Sequence, residues 1–231
     1  MRDLVTKAEI INQILEDNQI VENQAPMAAY QKNQFKFWGI KSVRRRELTK
    51  DILKEAKLKT KESGEIDWQM VNSLWQMDAR ENQYVAADYL NAVDNYLTVK
   101  DLEKLEILIT TKSWWDSVDV LVKRVGNIMH RDPKAKELIY CWGQSENIWL
   151  KRTAIICQLG LKKVTDLEVL SEMIEMNLAS QEFFVNKTIG WALREYAKTD
   201  PDWVQQFVVE HQKVLHPLSI REALKNLNRR S

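Results

Sequence analysis

Three groups of residues in this chain have the types and spacing that chemistry requires, and each falls on a helical pattern. The first is Thr111-Lys-Ser-Trp-Trp-Asp-Ser-Val-Asp119. Ser113 is a candidate N-cap, and Asp116 follows three residues later in the first turn, where negative charge is favoured. On a helix running on from there, Trp115 and Asp119 share a face, and Trp114, Val118, Leu121 and Val125 form the neighbouring apolar stripe. Taken alone, the stretch reads more simply as packing with two solvated acids. The second group is Arg152, three residues after Trp149, interrupting a stripe of Ile148, Ile155, Ile156 and Leu159. A guanidinium there needs a carboxylate or phosphate partner, because an unpaired buried charge is very costly; the alternative is an arginine at the stripe's edge reaching solvent. Asp119, one repeat earlier, is an available partner. In the third group Lys187, Trp191 and Arg194 share a face. Two cations beside an indole suit a phosphate backbone next to an aromatic surface, and a core Trp191 covered by two cations fits the spacing equally.

The elements that must position these residues are helices. Glycine (6) and proline (4) are scarce among 231 residues, which disfavours a fold with many tight turns. No convincing alternating strand occurs. Residues 3–22 read as one amphipathic helix through Leu4, Ile10, Ile11, Ile14 and Leu15, and Pro26 opens a short segment to Tyr30. A basic helix runs from Val43 to about Lys59 with Leu48, Ile52, Leu53 and Ala56 as its buried stripe, and Gly64 breaks it. Asp67, Asn147, Ser180 and the pairs Asp132-Pro133 and Asp200-Pro201 mark further starts, while Thr98 with Asp101 and Ser219 with Glu222 have capping-box spacing. Trp75, Trp115, Trp149 and Trp191 recur at intervals of 40, 34 and 42 residues. A period in that range belongs to helical-hairpin repeats stacked into a curved solenoid, and the short loops contain no obvious linker. The expectation is a single all-α domain spanning 1–231, its concave groove lined by Trp115, Asp119, Arg152, Trp191 and Arg194. A carboxylate between indole faces, ringed by cations, suits a substrate that is polyanionic overall and cationic at one point.

Charge distribution sharpens this. The chain carries a net charge of only +1, yet residues 30–61 hold eleven Lys and Arg against three acids, leaving +8 there and −7 elsewhere. Such asymmetry makes that segment a candidate phosphate-binding surface, though a solvated basic helix fits equally well. No apolar run approaches membrane-spanning length, and the charged N-terminus does not read as a signal peptide. Cys141 and Cys157 are expected as buried free thiols in a reducing cytoplasm. The scattered His130, His211 and His216 offer no metal-ligand spacing, so no metal and no cofactor is expected.

Several strings resemble the AlkD-type DNA glycosylases. They include Thr111 to Asp119, Asn147-Ile-Trp-Leu-Lys-Arg-Thr-Ala-Ile155, and Phe183-Phe184 through Lys187-Thr-Ile-Gly-Trp-Ala-Leu-Arg-Glu-Tyr-Ala-Lys-Thr-Asp-Pro201. Met27-Ala-Ala-Tyr30, Phe37-Trp38-Gly39-Ile40 with Arg44-Arg45-Arg46, Glu81 to Leu90 and Leu218 to Lys225 continue it in the same order. Looser segments are roughly 121–146 and 202–216. The resemblance implies HEAT-like repeats and excision of N3- and N7-alkylated purines from duplex DNA by a monomer without metal. It makes Asp119 the catalytic carboxylate, Trp115 and Trp191 the lesion-side aromatics and Arg152 the cationic groove residue. The expected chemistry needs no strong general acid, since an alkylated purine is already a cationic leaving group. It needs a carboxylate to support an oxocarbenium-like sugar and orient water. Lys187, Arg194, Arg44, Arg45, Arg46, Arg221 and Lys225 are the expected DNA-backbone contacts. The rival reading is a non-catalytic helical-repeat protein binding nucleic acid or protein through the same groove, for which nothing requires Asp119.

Overall fold

In a computed structural model of the protein, residues 5–227 are described. Leu4, and Arg229 and Arg230 of the expected basic C-terminal helix, lie outside the described residues. Among the described residues there are thirteen α-helices, three short 3-10 helices and no strand, only an isolated bridge between Lys36 and Ala79. The fold is all-α and HEAT-like, and it divides into two compact units, Met1–Leu97 and Thr98–Ser231.

The first unit holds α1 (Lys7–Asp17), α2 (Val21–Tyr30), α3 (Ser42–Ser63), α4 (Trp68–Gln76) and α5 (Arg80–Ala92). The single helix expected over 3–22 is two: a Thr6–Glu9 capping box starts α1, and the chain turns at Asn18. Pro26 sits inside α2 rather than opening a segment. In α3 the buried positions are Arg45, Thr49, Ala56 and Thr60, not the expected Leu48, Ile52 and Leu53, which are only half-buried. Polar side chains can line this seam because each has a partner: Thr49 donates to the Arg45 carbonyl, and Thr60 shares a hydrogen bond with the Tyr89 hydroxyl. Gly64 in the left-handed region ends α3, and Asp67 caps α4 through Met70 N, both as the sequence suggests. The buried Glu81 carboxylate accepts the backbone N–H groups of Trp38, Gly39 and Ile40 at 2.9–3.0 Å. Burial pushes the Glu81 carboxyl above its ordinary value, and those N–H groups pull against it.

The second unit runs through α6 (Leu102–Thr110), α7 (Trp115–Arg131), α8 (Ala135–Gly143), α9 (Ile148–Ile156), α10 (Leu167–Glu175), α11 (Phe183–Tyr196), α12 (Pro201–Glu210) and α13 (Pro217–Leu224). Alternate helices pack in series, α7 on α9, α9 on α11 and α11 on α13. Two glycines set the closest approaches. A Cβ on Gly126 of α7 would lie 1.7 Å from the Cys157 carbonyl oxygen at the end of α9, and one on Gly190 of α11 would meet Glu222 and Ser219 of α13 at 2.5–2.8 Å. Asn147, Asp166 and Asp200 cap their helices, and the Thr98–Asp101 box is present. Other starts differ. Ser113 does not cap α7; its hydroxyl turns back to the Ile109 carbonyl at the end of α6. Ser180 accepts from Glu182 N, so α11 begins at Phe183. Asp132 accepts from Lys134 N, and α8 begins at Ala135. Ser219 lies buried inside α13, donating to the Asn186 carbonyl, and Glu222 is engaged elsewhere, so the expected capping box does not form. Cys157 is buried, which raises its thiol pKa to about 12, whereas Cys141 is exposed, contrary to expectation.

Candidate active site

Asp119 stands one turn into α7 and Arg152 midway along α9, helices packed together within the second unit. Arg152 Nε donates to Asp119 Oδ1 at 2.7 Å and Nη2 to Oδ2 at 2.8 Å, a bidentate fork-to-carboxylate pair. The arginine side chain is 6% exposed and the aspartate 21%. That difference decides their roles. The guanidinium is committed to the interior, and the aspartate, whose oxygens each keep a second lone pair, still opens to solvent. The costly charge at Arg152 calls for a carboxylate or phosphate partner, and the geometry supplies the carboxylate of Asp119 rather than a side chain reaching solvent.

The third group joins from α11. The Trp191 ring centroid lies 5.5 Å from Arg152 Cζ, and Arg152 Nη1 donates to Thr188 Oγ1. Trp191 is half-buried, so it is neither the fully buried core residue nor a free aromatic; one part of it backs the guanidinium. Trp115, at the first position of α7, is likewise half-buried. Trp114 packs in a cluster with Trp149 and Phe184 at centroid separations of 5.0–5.8 Å, joining the start of α7 to α9 and α11. The expectation of Trp114 as a packing residue holds in kind, but its partners are aromatic rings on α9 and α11.

The expected cations divide. Lys187 and Arg194 do not stand free beside Trp191. Lys187 Nζ donates to Glu222 Oε1 at 2.7 Å and Arg194 Nη1 donates to Oε2. The hydrogen bond from Lys187, with the charges of Lys187 and Arg194, holds the Glu222 carboxyl below its ordinary value of 4.5. Sequence reasoning misses this acid because its spacing from Ser219 mimics a capping box; the close approach at Gly190 seats α13 near enough for it to reach both cations. Arg221 on α13 and Lys225 at its C-terminal cap are both exposed. In the first unit, Arg44 and Arg46 are exposed while Arg45 is buried, donating through Nη2 to Asp88 at 3.0 Å and lying over the Tyr84 ring at 4.9 Å. The expectation of three equivalent phosphate contacts is therefore corrected for Arg45, whose guanidinium is occupied inside the unit. Arg46 pairs at longer range with the same Asp88, and Arg44 pairs with Glu47 on the surface.

Among the described residues no cluster of His, Cys, Asp or Glu is arranged to hold a metal ion. No helix among them is long and apolar enough to cross a membrane. A cavity of about 370 Å³ opens beside Leu159, Gly160, Tyr196 and Lys198. None of Asp119, Arg152 or Trp191 lines it, so the candidate chemistry lies outside that hollow.

Residues 11–227 match the DNA alkylation repair enzyme family. The chain belongs to that family. A solved structure described as a predicted DNA alkylation repair enzyme from Enterococcus faecalis is similar with a TM-score of 0.82 and 35% identity, covering 90% of this chain and 96% of that one. None of the curated proteins matches the chain. Family membership supports a role in the repair of alkylated DNA, with DNA as the partner.

Proposed function

We propose that the protein is a DNA glycosylase that hydrolyses the N-glycosidic bond of cationic N3- and N7-alkylated purines in duplex DNA. The observation that carries this reading is the Asp119–Arg152 pair: a partly accessible carboxylate, fixed by two hydrogen bonds and flanked by the indole that backs its partner. A fixed anion is what the reaction requires. Alkylation at N7 or N3 leaves a positive charge on the purine, so the C1′–N bond breaks with its electron pair moving to the base, which departs neutral. Positive charge then grows on the sugar. An anion placed in advance stabilises it without reorganising at the moment of reaction. Water adds to C1′ and loses a proton, and Asp119 is suited to orient that water, as the second carboxylate of a glycosidase is.

In this reading Arg152 orients Asp119, and Trp115 and Trp191 present aromatic surface to the lesioned nucleotide, where a ring face attracts a cationic base. Arg44, Arg46, Arg221 and Lys225 contact backbone phosphates. Lys187 and Arg194 contribute as a pair already neutralised in part by Glu222. The deciding assay incubates the protein, without added metal, with a duplex methylated at guanine N7 and measures the free base. Release of 7-methylguanine is the expected result. Tight duplex binding with no release would overturn the proposal in favour of a non-catalytic binding protein.

A further inference from the structure

Arg152 presents three surfaces to its surroundings, and the reaction proposed above accounts for two. The edge formed by Nε and Nη2 meets Asp119, and Trp191 lies against the guanidinium. The remaining corner, Nη1, points into the protein at Thr188 Oγ1. Thr188 is wholly buried, and its own proton is already committed, because Oγ1 donates to the Phe184 carbonyl at 2.5 Å one turn back along α11. A hydroxyl oxygen whose hydrogen is engaged can only accept. The Phe184 carbonyl itself lies 3.5 Å from Nη1, at the outer limit of a hydrogen bond, and does not replace it.

A guanidinium is rigid and planar. Two acceptors on one edge and a third at the opposite corner therefore fix its rotation within the plane, since turning it to improve one hydrogen bond spoils another. The Trp191 ring, three residues along the same helix, limits movement out of the plane. A buried threonine that bonds back to the carbonyl four residues before is by itself only a satisfied hydroxyl. That explanation accounts for the proton of Thr188 and leaves the arrival of Nη1 at its oxygen unexplained.

We propose that Thr188 is a positioning residue: it sets the orientation of the Arg152 guanidinium, and through it the direction in which the Asp119 oxygens face the reacting sugar. The inference rests on the reading of Asp119 given above, and its test separates the two. Thr188→Val keeps the shape and removes the acceptor, Thr188→Ser keeps the acceptor, and Thr188→Ala serves where the valine variant does not fold. Three quantities are compared with the wild-type protein: the NMR signal and water exchange of the Arg152 Nε–H in the free protein, the single-turnover release of 7-methylguanine, and duplex affinity. In Thr188→Val the Nε–H signal shifts and exchanges roughly tenfold faster, and release slows by about tenfold or more, as displacement of a reacting group does. Duplex affinity stays within about twofold, since no phosphate-binding cation is touched, and Thr188→Ser restores both the signal and the rate. The inference is overturned by an unchanged Nε–H signal in Thr188→Val, by a serine variant as impaired as valine, or by affinity falling in step with rate. Absence of base release from the wild-type protein overturns the glycosylase reading alone, because the Nε–H comparison still decides what Thr188 does.

Discussion

Arg152 grips Asp119 from 33 residues further along the chain, with two parallel hydrogen bonds of 2.7 and 2.8 Å. Neither residue would be held alone: the arginine is nearly inaccessible, and the aspartate is oriented by nothing so rigid as that fork. In Asp119→Asn an amide nitrogen must face the guanidinium, so the fork loses one acceptor and the anion disappears. Base release should fall by about 10²–10³-fold, the effect of losing one preorganised electrostatic group. Affinity for methylated duplex should stay within a few-fold, measured by fluorescence anisotropy, and retained release would remove Asp119 from the mechanism.

The three consecutive arginines of α3 should separate by experiment. Arg44→Ala and Arg46→Ala remove exposed charge and should each weaken binding to any duplex, lowering the slope of log affinity against log salt by about one for each phosphate no longer neutralised. Their melting temperatures should barely move, as exposed ion pairs contribute little. Arg45→Ala strips a buried partner from Asp88 and a cation from the Tyr84 face. It should cost about 3 kcal/mol of stability in urea denaturation.

Glu222 gives a pH signature. Its folded-state pKa is depressed by Lys187 first and Arg194 with it. The stability it contributes is therefore complete above the ordinary glutamate value of 4.5 and is lost as pH falls through the lower folded value. Glu222→Gln should be less stable than the wild-type protein by about 1.5–3 kcal/mol at neutral pH, the range for hydrogen bonds to charged groups. The gap should close on acidification below pH 4.5. A gap that persists unchanged into acid would show that the pair with Lys187 and Arg194 contributes nothing.

Glu81 offers a contrast, since its carboxylate serves three backbone N–H groups rather than two cations. Glu81→Leu leaves those donors buried without an acceptor and should destabilise the first unit by several kcal/mol, at about 1–3 per orphaned group. Glu81→Gln, retaining one acceptor oxygen, should fall between the two. Hydrogen exchange at Trp38, Gly39 and Ile40 would read the effect locally.

The all-helical class was legible, and Asp119 could be named as one candidate partner of Arg152, because these signals are local or forced. Helical periodicity covers the chain, caps such as Asn147 and Asp200 bond to the N–H groups immediately after them, and a cation in an apolar stripe must find an anion. What escaped was set by tertiary packing. Arg45 looks no different from Arg44 in sequence, and only the placement of α3 against α5 directs it inward to Asp88. The threonine seam of α3 defeats a pattern search for apolar residues because hydroxyls with local partners can be buried. Ser113 and Ser180 have the right spacing to cap, but each engages a different backbone group. Glu222 stays hidden because its partners are 28 residues away or more and, unlike an arginine interrupting an apolar stripe, its own stretch of sequence calls for no partner.

Gly126 holds one further implication for the reacting centre. The backbones of α7 and α9 touch there, with no room for a methyl group before the Cys157 carbonyl. Asp119 lies two turns earlier on α7, about 10 Å along the axis, and Arg152 lies on the helix it touches. Position 126 is thus a fulcrum: a wedge as small as alanine would pry the helices apart and swing the aspartate away from its arginine. A change two turns away from Asp119 would then silence base release while leaving every chemical group of the pair in place.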